Sequence, residues 1–266
     1  MHLSVNLKKA SLVGAFFVSL LWLDLAQAFC PLRADLPQVA VRQVVDGDTL
    51  RLADGRSVRL IGINTPELGR KGRSDEPYAV QAKRRLQALV ESSGGKVGVL
   101  PGKQGKDRYG RTLAHLYDRN GRNLEAQLLR EGLGFMVAVA PNTQLVSCQV
   151  QAEREARQQR LGLWTQAQVK QAGQLRRGGF ALISGRVASV QRNRGGLWLE
   201  MDGNRVLRVA PELLADFDER ALARLKGRSV EARGWVIDRQ ARGASRSGQA
   251  RWLLPLTDPA MLEVLP

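Results

Sequence analysis

The sequence predicts a mixed α+β fold, mainly β with helices, laid out as two small β-barrels in series. Three observations carry this. Short strand-like runs bounded by turn residues fill the stretch between Val39 and Tyr117, helical periodicity interrupts them once and then follows them, and a second strand series begins after a polar stretch. A chain of 266 residues with 44% hydrophobic content has room for two packed cores.

In the first series the strands are read at Val39–Val45, Thr49–Ala53, Ser57–Ile63, Lys96–Leu100 and Arg111–Tyr117. The interrupting helix runs from Pro77 to Ser92, where Ala79, Ala82, Leu86 and Leu89 recur at helical spacing, Asp75 and Glu76 sit in the cap region, and Gly94-Gly95 stops it. Two further helices are expected near Asn123–Glu131 and Thr143–Arg160. Residues 171–179 read as a linker, since Arg176-Arg177-Gly178-Gly179 marks a boundary between a unit at 29–170 and one at 180–266. The second unit shows three strands (Phe180–Val190, Leu197–Met201, Arg205–Val209), a helix (Pro211–Leu225) and two strands (Ser229–Ile237, Arg251–Leu256). That order is expected of a small five-stranded OB-type barrel, a fold that binds oligonucleotides and oligosaccharides. Its Trp198, Trp235 and Trp252 suit core packing better than base stacking.

The first residues read as an export signal: Lys8 and Lys9, an apolar run from Leu12 to Leu23, then Ala26-Gln27-Ala28, with Phe29 as the mature N-terminus. A secreted or periplasmic location follows, with a retained membrane anchor as the alternative; after cleavage no stable membrane span remains. Removing residues 1–28 takes Lys8, Lys9 and Asp24 with it, so the net charge falls from +16 to +15. Such a balance calls for an anionic partner, nucleic acid first, with anionic lipid or cell-surface polymer behind it. The two cysteines, Cys30 and Cys148, both fall in the exported part and are expected to pair, while a zinc cluster is excluded by the count.

The stretch Asp46-Gly47-Asp48-Thr49-Leu50 turns back through Asp54-Gly55, a two-residue hairpin signal. In that register facing residue numbers sum to 109, so Asp48 lies opposite Ile61 and Arg59 opposite Leu50, with Asp48 and Arg59 diagonal neighbours roughly 7–8 Å apart. The second strand runs into Asn64-Thr65-Pro66-Glu67, where the proline forces an extended or turned exit. Asp48, Asn64 and the Thr65 carbonyl offer oxygens to a hard cation such as Ca²⁺, and Glu67 can reach a bound water. Asp107-Arg108-Tyr109-Gly110-Arg111 forms a basic turn whose Arg111 is a second phosphate clamp beside Arg59. Phosphodiester cleavage needs a water nucleophile, a base, and positive charge on the equatorial oxygens, and this set supplies all three. His115, the one histidine left after cleavage, suits a structural place, so mechanisms built on paired histidines are disfavoured.

The succession DGDT, VRLIGINTPE, KDRYGR, NLEAQLLREGLGF and QAEREARQQRLGLW resembles the staphylococcal nuclease family over about Val39 to Trp164. The resemblance implies an OB barrel with packed helices and calcium-dependent hydrolysis of DNA or RNA leaving 3′-phosphates. It assigns Ca²⁺ to Asp48 and Asn64 with the Thr65 backbone, water activation to Glu67, and phosphate binding to Arg59 and Arg111. Asp46 falls on the acid behind the ligands, and Arg108 and Tyr109 on positions that hold a terminal phosphate. Two departures stand out: Asn64 replaces the usual aspartate, which predicts weaker calcium binding, and Val137–Ala140 lacks the tyrosine that stacks on nucleotide. A nucleic-acid-binding protein of the envelope without turnover is the alternative. No obligate protein partner is implied.

Overall fold

The computed structural model describes residues 30–69, 72–166, 168–171, 174–241, 243 and 248–266; the signal at 1–28 lies outside them. Alternation of apolar and polar residues builds β1 (Gln38–Val44), β2 (Thr49–Leu52) and β3 (Ser57–Leu60) as an antiparallel meander. After β4 (Ile63–Asn64) and α1 (Ala79–Ser92) come β5 (Lys96–Lys106) and β6 (Thr112–Tyr117). The barrel closes in the order β1-β2-β3-β6-β5, with β3–β6 its parallel pair. Leu50, Leu52, Val58, Leu60, Ala114 and Leu116 fill it.

Ala79, Ala82, Leu86 and Leu89 form the buried face of α1 as their spacing predicts. Its start differs from expectation: Tyr78 at φ +69° precedes the first turn without a side-chain cap. Asp75 instead accepts the Gly69 N–H at 2.7 Å, and Glu76 the Glu67 N–H at 3.0 Å, so both acids brace the preceding loop. In α2 (Leu124–Arg130), Asn123 caps the helix by accepting the Ala126 N–H, and buried Glu125 reaches back to the Leu116 N–H at 3.0 Å. Beyond β7 (Phe135–Met136), α3 (Val146–Gln158) carries Cys148, disulfide-bonded to Cys30 across 118 residues. In the chain-entropy model a loop that long contributes about 4–5 kcal/mol.

Tyr117 has no exposed surface. Burial, reinforced by the nearby Glu125 carboxylate, pushes its phenol up to about 12 from the ordinary 10.0. The folded state thus holds this proton more tightly than the unfolded state. The associated stability, roughly 2–3 kcal/mol, is complete below pH 10 and lost as pH rises towards 12. Tyr117→Phe is expected to flatten that loss in urea unfolding across the window; a loss as steep as in the wild type would contradict it.

The second unit joins β8 (Val169–Lys170), β9 (Gly179–Asn193), β10 (Gly196–Met201), β11 (Arg205–Val209), β12 (Ser229–Asp238), β13 (Trp252–Leu256) and β14 (Leu262–Val264). Its ring runs β9-β10-β11-β13-β12 and back to β9, with β11–β13 parallel, repeating the pairing order of the first barrel. β8 flanks β9 and β14 flanks β12. Val169 and Lys170, read as the end of the first unit, therefore belong to the second sheet. The expected helix at Pro211–Leu225 is two pieces, a 3₁₀ turn at Pro211–Asp216 and α4 (Glu219–Ala223), because Asp218 accepts the Ala221 N–H and caps a new helix. Of the three tryptophans only Trp252 is buried; Trp198 is half-buried and Trp235 is 43% exposed.

The two barrels pack on each other through α3 and β7. Arg157 forks onto Glu231 at 2.8 and 2.6 Å, and buried Arg233 pairs with buried Glu153. Glu153 also accepts the Met136 N–H at 2.7 Å. Phe135, edge-on to Trp164, packs at a tilt against Phe180 across the same boundary.

Candidate functional site

The hairpin that presents the site is one residue out of the predicted register. Thr49 faces Arg59 and Leu50 faces Val58, so facing numbers sum to 108. The reason lies in the turn: only Gly55 takes positive φ, and the Leu52 N–H bonds to the Arg56 carbonyl across a three-residue loop. Asp54 stays at the corner and accepts the Arg56 N–H.

Asp48 and Arg59 meet nonetheless, because Asp48 sits in the loop before β2, outside the pleat. The Arg59 Nη2 lies 3.1 Å from Asp48 Oδ2 and donates to Asn64 Oδ1 at 3.3 Å. Its Nη1 donates to the carbonyls of Leu60 and Ile63 at 2.8 and 2.9 Å, which fixes the fork before any ligand arrives. The break between β3 and β4 makes those carbonyls available. Gly62 at φ +87° turns the chain there, and a Cβ on it would run into the Gln149 amide. β4 then pairs with β7, Asn64 facing Phe135.

Thr65 serves Asp48 doubly: its N–H and hydroxyl donate to Oδ2 at 2.8 and 3.0 Å. Thr49 donates its hydroxyl to Oδ1, and the Asp48 N–H bonds to Asp46. Asp46 is buried, and burial followed by the charge of Asp48 raises its carboxyl above the usual range. Glu67 is raised too, first by desolvation and then by Asp48 and Asp46. Three carboxyls thus crowd one corner of the barrel, their charge opposed by Arg59.

Arg111 arrives from the β5–β6 turn. Asp107 organises that turn by accepting the N–H groups of Tyr109 and Arg111 at 2.9 Å and the Arg111 Nε at 2.7 Å. Asp107 has no predicted role in the sequence, although an acid followed two residues on by Tyr-Gly-Arg is a turn signal that identifies it. Leu113 lies beside Arg59 in the parallel pair, and Arg111 sits at the end of the turn just before that strand, next to the β3 edge that carries Arg59. Arg108 donates to the Tyr109 hydroxyl at 2.7 Å, and both guanidiniums lie over that ring, which is 68% exposed. In this structure Arg111 faces Asp107 and Tyr109, and Arg59 faces the carboxyl corner. His115 is buried behind the barrel next to Glu125, away from both.

The donors at the corner suit a hard cation. They are oxygens only, and their mutual repulsion is what a bound cation relieves. Although these carboxyls feel one another's charge, among the described residues no three His, Cys, Asp or Glu side chains stand close enough to hold a metal by themselves, and the Asn64 amide and Thr65 carbonyl offer further oxygens at this corner.

Residues 57–166 match the family described as Staphylococcal nuclease homologue. The chain is 33% identical over 135 residues to the SPbeta prophage-derived endonuclease YokF of Bacillus subtilis, covering 49% of this chain and 45% of that protein. It is 32% identical to a thermonuclease of Staphylococcus intermedius, covering 47% of this chain and 74% of the relative. To an uncharacterized endonuclease of Escherichia coli it is 34% identical, covering 50% and 80%. Measured against YokF and Endonuclease YncB of Bacillus subtilis, the chain spans 45% and 64% of the relatives' lengths. With motifs, barrel and relatives in agreement, the chain belongs to the staphylococcal nuclease homologue family.

Proposed function

We propose that the protein is an exported, calcium-dependent nuclease that hydrolyses phosphodiester bonds of DNA or RNA and leaves 3′-phosphates. One observation carries the reading. Arg59 is held between Asp48 and Asn64 while Glu67, with its proton affinity raised, stands beside the same carboxylates.

A phosphate entering this corner is gripped by the Arg59 fork, with Arg111 swinging from Asp107 onto a second equatorial oxygen. Glu67 takes the proton from a water, whose oxygen attacks phosphorus in line, and the bond to the 5′ oxygen breaks, that oxygen keeping the electron pair and gaining a proton from solvent to leave as the 5′-hydroxyl. The two guanidiniums offset the charge that grows on the equatorial oxygens. Asp48, Asn64 and the Thr65 carbonyl would hold Ca²⁺, which when bound adds positive charge at the phosphate and orders the water. Asp46 stands behind Asp48 and fixes it, and Arg108 with Tyr109 receives a terminal phosphate. Thr65 holds the Asp48 carboxylate in one orientation.

Purified mature protein is expected to degrade plasmid DNA and RNA in millimolar Ca²⁺ and to stop in excess chelator. Nucleic acid left intact in calcium would end the proposal and leave the binding-only alternative, against which the presence of Glu67 argues. Asn64→Asp restores one negative charge and is expected to lower the calcium concentration for half-maximal activity several-fold. A titration with no downward shift contradicts the ligand role. N-terminal sequencing of the exported protein is expected to begin at Phe29, and an intact Met1 would argue for the anchored form.

A further inference from the structure

We propose that the outer face of β10–β11 in the second barrel is a binding site for single-stranded nucleic acid, centred on Trp198 between Arg208 and Arg239. This rests on the nuclease reading for its purpose, though not for its chemistry.

Leu197, Leu199 and Met201 point into the barrel and are buried, which turns Trp198 and Glu200 outward. Trp198 faces Arg208 across the β10–β11 pair, and the Arg208 guanidinium lies 5.2 Å from the indole. Arg239, from the connection between β12 and β13, approaches the same ring at 5.5 Å. The Trp198 Nε1 donates to Asn193 Oδ1 at 3.0 Å in the β9–β10 turn, and the Arg208 Nε donates to the Gly195 carbonyl at 2.8 Å, so ring and guanidinium are held in place. Three separate segments converge on one aromatic.

Neighbouring arginines are ion-paired and these two are not. Arg192 is paired with Glu219 and Arg251 with Asp238, whereas among the described residues Arg208 and Arg239 are in no ion pair within 4 Å. Glu200 lies on the same face and partly opposes the Arg239 charge, which leaves Arg208 the freer of the two. Val206, Ala250 and Leu253 pack beneath Trp198 and Ile237, giving the platform a firm apolar base.

The two barrels share one pairing order, and the elements that present these groups correspond. The first barrel uses its β1–β2 loop for Asp48, β3 for Arg59 and the β5–β6 turn for Arg111. The second offers Asn193 from β9–β10, Arg208 from β11 and Arg239 from β12–β13. Arg59 faces Thr49 as Arg208 faces Trp198. Where the first barrel holds crowded carboxylates, the second holds an indole, so the chemistry is stacking plus phosphate attraction. That combination suits unpaired bases on a flexible backbone.

The test measures binding of the full mature chain, in chelator, to a single strand of about 30 nucleotides and to a duplex of equal length. Arg208→Gln/Arg239→Gln is expected to weaken single-strand binding at least tenfold and to make the salt slope shallower by about 1.4, at roughly 0.7 per phosphate contact. Trp198→Ala is expected to weaken it at least fivefold, and Trp198→Phe to restore most of that. Cleavage of a dinucleotide, too short to span both barrels, is expected to stay at the wild-type rate in calcium. Wild-type single-strand affinity in both the arginine and the Trp198→Ala proteins overturns the proposal. So does a loss confined to the duplex. A protein that cleaves nothing in calcium, yet loses single-strand binding on these substitutions, supports this site and sinks the nuclease reading alone.

Discussion

Glu67→Gln is expected to lower turnover on plasmid DNA by about 10²–10⁴-fold, the range a positioned general base contributes. The exchange keeps the size of the side chain and replaces the basic carboxylate with an amide too weakly basic to take up the proton. Folding should be untouched. The Glu67 side chain is exposed, and the segment is held through its backbone, whose N–H and C=O bond to Glu76. Thermal midpoint therefore serves as the control that stays near wild type. Activity within twofold of wild type would remove Glu67 from the mechanism.

The second large effect concerns stability. Arg233→Met leaves Glu153 buried without its counter-ion, and such a loss costs about 3–5 kcal/mol. Adding Glu153→Gln removes the stranded charge while keeping an acceptor for the Met136 N–H, so most of the loss should return. Urea unfolding of both variants measures this. A single substitution costing under about 1 kcal/mol would show that water reaches the pair.

Much of the first barrel was legible because its information is local. The period-two runs gave the strands, the spacing of Ala79, Ala82, Leu86 and Leu89 gave the face of α1, and the ordered motifs pointed to Asp48, Arg59 and Asn64, which the fold brings together. The hairpin register was lost to a single backbone angle: Asp-Gly supports a two-residue turn, but Gly55 alone takes positive φ and the loop gains a residue. Asp75 and Glu76 carry the composition of a helix cap, yet loop N–H groups six and nine residues back compete for them and win. β4, β7 and β14 are two or three residues long and exist only through their partners, so no periodicity marks them. The contact of Asp48 with Arg59 was expected from strand geometry and arises from a loop instead.

Arg233 has a consequence for shortening this protein. It reaches from β12 into the first unit beside Met136, whose strand partner is Ile63, the neighbour of Asn64. A chain stopped at residue 170 would strand the Glu153 charge, bare the Phe135 and Trp164 rings to water, and unsettle the ribbon next to the corner that carries the chemistry. Trimming to a minimal nuclease would thus need redesign of that bared surface, starting at Glu153 and Phe135.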